Sequence, residues 1–126
     1  MRRSVRLLLV LAVTVAAPAC RSADPYALDQ VRPDGATLVV RNDNFADMDL
    51  YAVSSGLATR IGTVSGLSTQ SFALSSTMIG GSDFRVVATP IGGNGRASTG
   101  ALLVRGGSVI DFRIASVLNQ SVGSVR

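Results

Sequence analysis

The sequence predicts an all-β protein, a single antiparallel β-sandwich of about seven strands that follows a cleaved signal peptide. Three observations carry this. From Ala36 onward, apolar and β-branched runs of six to eight residues alternate with Gly, Ser and Asn punctuation. Successive runs begin 10 to 14 residues apart, the interval of short strands joined by turns. None of them has an amphipathic 3.6-residue period bounded by caps. A length of 126 residues and a hydrophobic fraction of 47% suit one small ordered domain.

The chain begins MRRSVRLLLVLAVTVAAPAC. Arg2, Arg3 and Arg6 precede an apolar run from Leu7 to Ala17, then Ala17-Pro18-Ala19 and Cys20. A positive start, a short apolar stretch and small residues before a cut are the layout of a bacterial secretory signal peptide over 1–19. The apolar stretch is 11 residues long, whereas a spanning helix needs about 20. Cys20 is the sole cysteine and stands where a lipobox cysteine is diacylated, although Pro18 and Ala17 depart from the usual pattern. Cleavage by the general signal peptidase at the same bond would instead leave a free thiol. Residues 20–35 hold Pro25, Pro33 and several Asp and little periodic apolar content, so they read as a tether. At roughly 3 Å per residue it reaches up to about 45 Å.

Residues 36–126 form the domain. Strands are expected at 36–42, 47–54, 57–64, 69–75, 83–90, 97–104 and 108–115, and the tail 116–126 offers a further short strand. Ser55-Gly56 reads as a two-residue hairpin turn that sets Leu50 opposite Ile61, Met48 opposite Thr63 and Ala52 opposite Thr59. The reverse face of that hairpin brings Tyr51 to Arg60, a cation–π pairing. Ser65–Ser68 reads as a four-residue loop that sets Ile61 against Phe72. Gly106-Gly107 reads as a second tight hairpin, with Leu103 opposite Ile110 and Ala101 opposite Phe112. The expected core is Leu38, Val40, Leu50, Ile61, Phe72, Leu74, Phe84, Val86, Leu103, Ile110, Phe112 and Ile114. With Leu103 inward, Leu102, Val104 and Val109 face the other way. They need cover from the tether, the tail or another molecule, and form a candidate interaction face with Tyr51 and Arg60.

Composition excludes much chemistry. All 12 basic residues are Arg, all 8 acidic residues are Asp, and there is no His. Triads based on His, His-ligated zinc and histidine pH switches are therefore absent. Removal of 1–19 leaves nine Arg against eight Asp, a net charge of +1 without an Arg cluster, so no nucleic-acid partner is expected. The serines lack a Lys or His base, and the glycine clusters at 80–81 and 92–95 precede no helix, so no catalytic residue and no cofactor is expected. The most polar stretch, Asn42 to Asp49, carries Asp43, Asp47 and Asp49. These are possible calcium ligands, set against a plain turn in which Asx side chains bond their own backbone.

A signal peptide ending in Cys, a polar tether and a domain of about 90 residues together resemble small bacterial envelope lipoproteins. The segment VVRNDNFADMDLYAVSSGLATRIGTV looks like the opening hairpins of immunoglobulin-like or transthyretin-like sandwiches. The resemblance is architectural and carries no site residues. It implies a non-enzymatic lipoprotein of the cell envelope, anchored through lipid on Cys20 and displayed for contact with an envelope protein or a surface. The outer membrane or periplasmic face is the expected location. The alternative is a soluble periplasmic or secreted module binding calcium or an envelope carbohydrate through the Asn42–Asp49 loop.

Overall fold

Ten segments of regular structure account for most of the chain from Ala36 onward. The computed structural model describes residues 34–126, so the signal peptide at 1–19, Cys20 and most of the 20–35 tether lie outside the described residues. The strands are β1 (Ala36–Asn42), β2 (Met48–Ser54), β3 (Leu57–Val64), β4 (Thr69–Leu74), β5 (Arg85–Pro90), β6 (Ala97–Ser98), β7 (Val109–Ile114) and β8 (Val122–Val125). A single helical turn, α1 (Ser76–Ile79), precedes β5, and a 3-10 turn at Leu118–Gln120 precedes β8. The protein is thus all-β, with eight described strands against the expected seven. The eighth comes from the tail.

The strands form two sheets of four, ordered β4-β1-β7-β8 and β3-β2-β5-β6. β1 pairs β4 antiparallel but β7 parallel, so the arrangement is not a simple meander. Period-two alternation sets the faces. Ala36, Leu38 and Val40 of β1 and Ile110, Phe112 and Ile114 of β7 point inward from the first sheet. Met48, Leu50 and Ala52 of β2 and Val86 and Ala88 of β5 do so from the second, with Phe84 just before it. All belong to one buried cluster, so the two sheets share a core. Ile79 of α1 is buried in the same cluster.

The Ser55-Gly56 hairpin forms, but its expected register holds only beside the turn: the pairs Leu50–Ile61 and Met48–Thr63 are not made. Both residues have positive φ, 52° and 77°, the dihedrals of a primed turn whose twist matches paired strands. Near the turn, Ala52 faces Thr59 and Tyr51 faces Arg60. A bulge between Leu50 and Tyr51 then leaves Ile61 as the extra residue, so Leu50 faces Gly62 and Met48 faces Val64. One inserted residue is enough to shift the register beyond it.

Two expected hairpins are corrected. β3 and β4 belong to different sheets, and Phe72 pairs with Leu38 of β1, not with Ile61. Ile61 and Phe72 are only partly buried, although both pack on the core. The turn at Gly106-Gly107 exists, closed by Ser108 N–H to the Arg105 carbonyl at 3.1 Å. Only Gly107 has positive φ there (83°), a pattern that splays flanking strands and does not pair them. Residues 97–102 instead run along β5, through Thr99 N–H to the Val86 carbonyl and Leu102 N–H to the Phe84 carbonyl. Gly100, at φ 75°, breaks their alternation. Leu102 and Val104 consequently turn toward the core and Leu103 is 70% exposed.

Candidate interaction surface

Strand directions gather four loops at one end of the molecule: 43–47, 65–68, 91–96 and 115–121. The 43–47 loop ties the other three together. Asn42 is buried, and its Nδ2 donates to the carbonyls of Ala46 (2.8 Å) and Ser65 (3.1 Å) while its Oδ1 accepts from Asn44 N–H. Asn44 Nδ2 donates to the Ser116 carbonyl at 2.9 Å, and the Asn44 carbonyl accepts from Leu67 N–H. Ile91 N–H donates to the Asp47 carbonyl at 2.9 Å.

Each of these four loops carries one large exposed apolar side chain. Phe45 is 84% exposed, Leu67 61%, Ile91 56% and Val117 52%. Leu67 also holds a positive φ of 55°, a region costing a branched residue about 1–2 kcal/mol. Leu67 thus holds an apolar side chain in a strained, solvent-facing position. The chain enters from the opposite end, where the Gly35 carbonyl accepts from Gly107 N–H.

Reading for strand periodicity missed these four residues, because none lies on a strand. The available signal was an apolar residue set among turn-forming ones, as in Asn44-Phe45-Ala46 and Gly66-Leu67-Ser68.

The three candidate calcium ligands do not converge. Asp43 bridges Arg41 (2.9 Å) and Arg113 (2.6 Å), Asp47 accepts from Gly66 N–H (2.8 Å), and Asp49 accepts from Arg60 (2.8 Å) and Thr63 Oγ1 (2.7 Å). The hydrogen bonds from Arg113 and Arg41 hold the Asp43 carboxyl below its ordinary pKa. Those from Thr63 and Arg60 do the same for Asp49. The loop is built as a self-bonded Asx turn, and among the described residues no group of three or more His, Cys, Asp or Glu could hold a metal ion.

The other candidate face is also divided. Val104 is buried and Leu102 packs against the core, so neither opens to a partner. Val109 is half-buried and exchanges both backbone hydrogen bonds with Arg126 of the tail. Tyr51 and Arg60 are neighbours on the outer face of the second sheet, but the Arg60 guanidinium is directed to Asp49 and Thr63. Tyr51 lines a shallow groove of about 320 Å³ with Val53, Arg85, Val87 and Arg96. Among the described residues no helix is long and apolar enough to cross a membrane.

No protein-family model matches the chain, and no curated protein does. Among solved structures, it is similar to the NMR structure of a protein from Eubacterium rectale at 9% identity and a TM-score of 0.46. That match covers 73% of this chain and 88% of the other.

Proposed function

We propose that the protein is a non-enzymatic lipoprotein of the cell envelope, anchored through lipid on Cys20. Its domain is an immunoglobulin-like or transthyretin-like sandwich displayed for contact with an envelope protein or surface. One observation carries this reading. Four loops present Phe45, Leu67, Ile91 and Val117 at one end, while the chain that follows Cys20 enters at the other. A tether at one pole and cross-braced apolar contacts at the opposite pole suit a module held on a membrane and reaching away from it.

The intact mass of the mature N-terminus, measured in membrane and soluble fractions of the native host, tests the anchor. A diacylated Cys20 in the membrane fraction is expected. A soluble product with an unmodified thiol at Cys20 overturns it. Photo-cross-linkers placed at residues 45, 67, 91 and 117 test the contact end. They are expected to give discrete envelope adducts that cross-linkers at Ala58 and Gln70 do not give.

A further inference from the structure

The outer face of the first sheet carries a feature that the display reading does not use. Two cross-strand rows run over all four of its strands. One is Thr69–Arg41–Arg113–Val122 and the next is Ser71–Val39–Asp111–Ser124. Between them lies a groove of about 300 Å³, lined by Val39, Arg41, Thr69, Asp111, Arg113 and Val122, among others.

Arg41 and Arg113 are directly opposite in the parallel ladder. Like charges so placed repel, and such pairs are normally avoided. Here both are fixed by one carboxylate. Arg41 Nε donates to Asp43 Oδ1 and Arg113 Nε to Asp43 Oδ2. Each guanidinium therefore uses its Nε for Asp43. Among the described residues its Nη groups have no hydrogen-bond partner, and the side chains are 65% and 63% exposed. The third charge of the groove, Asp111, is balanced by Arg126 at 2.6 Å. The cluster of three arginines and two aspartates keeps a net charge of +1, located at the Arg41–Arg113 pair.

We propose that this groove binds a phosphate group, with Arg41 and Arg113 as its two forks. Two planar guanidiniums with free Nη groups call for an anion with three or more oxygens, and a phosphate satisfies both. Val39 and Val122 offer an apolar wall to the organic part of a phosphate ester, and Thr69 and Ser124 contribute hydroxyls. Asp43 is a positioning residue that sets the orientation of both forks.

The test is a titration of the purified full chain with inorganic phosphate, followed by amide chemical shifts. Saturable shifts confined to Val39, Arg41, Asp111, Arg113 and Ser124 are expected, with a dissociation constant in the millimolar range or tighter. R41Q and R113Q are each expected to weaken binding at least tenfold. R41K, which keeps the charge but removes the fork, is expected to weaken it as well. R105Q, on the turn before β7, should leave it unchanged. Vesicles of phosphatidylglycerol, compared with phosphatidylcholine, separate the two sources of the group. Displacement of inorganic phosphate by the anionic vesicles alone assigns the site to a lipid headgroup, and no displacement assigns it to a soluble phosphate compound. Absence of saturable shifts to tens of millimolar phosphate, or equal shifts in the R41Q/R113Q double variant, overturns the proposal.

Discussion

The side-chain amide of Asn42 donates to the carbonyl of Ser65, 23 residues away, and so joins the end of β1 to the β3–β4 connection. Asn42 is the one buried polar side chain among the described residues, 1% exposed. It bonds at both ends of its amide. Asn42→Ala is expected to strand the Ala46 and Ser65 carbonyls and the Asn44 N–H. The loss should be about 2–3 kcal/mol of stability. Urea denaturation at neutral pH measures it.

The β3–β4 loop gives a pair of opposite effects. A Cβ on Gly66 would collide with the Phe45 carbonyl, and backbone cannot swing aside as a side chain can. Gly66→Ala is expected to destabilise by about 1–3 kcal/mol. Leu67→Gly relieves the positive φ and is expected to stabilise by roughly 1 kcal/mol. Thermal melts of both variants decide the matter. A destabilised Leu67→Gly would contradict the strain assigned to that residue.

Residues 102–104 separate two readings of the facing. Val104→Ala should cost about 2 kcal/mol, since it removes buried methyl groups. Leu103→Ser should stay within about 0.5 kcal/mol, as for other exposed sites. The reverse order in chemical denaturation would restore Leu103 to the core.

Acid should destabilise the fold through Asp43 and Asp49. Both carboxyls are held below their ordinary pKa by hydrogen bonds, from Arg113 and Arg41 for the first and from Thr63 and Arg60 for the second. A lowered folded-state pKa contributes stability above the unfolded value, and this is lost as pH falls through the folded one. Tm should therefore hold down to about pH 4 and decline below it. Asp43→Asn and Asp49→Asn should each flatten that acid limb while lowering Tm at pH 7. An unchanged slope in both would remove the pairs as its cause.

The sequence carried local structure further than pairing. β1, β2, β3 and β5 fall close to their expected bounds, because alternation writes the inward residues of β1 and of the 84–88 segment directly into the chain. The Ser55-Gly56 hairpin was legible because its turn chemistry demands primed dihedrals. The partner of residues 97–104 was not. Two glycines permit a tight hairpin but do not require one, and the φ of Gly106 belongs to the folded context. The β1–β7 parallel pair joins segments about 70 residues apart, beyond the reach of any turn rule. The same distance hid the Arg41–Arg113 pair. Asp43, Asp47 and Asp49 were legible as a turn, and their distant partners were not, since Arg113, Gly66, and Arg60 with Thr63 lie on β7, the β3–β4 loop and β3.

The central position of β1 bears on how the domain would carry force. β1 is held along one edge by six residue pairs to β4 and along the other by six to β7. A pull on the chain ahead of Ala36, resisted at the far loop end, is directed along this strand. Strands loaded lengthwise must shear both ladders together, whereas a load across them would break the bonds in succession. Forced unfolding is governed by the unfolding rate and not by equilibrium stability. Pulled from its N-terminal side, the proposed point of tethering, the domain therefore resists through its unfolding rate, whatever its equilibrium stability.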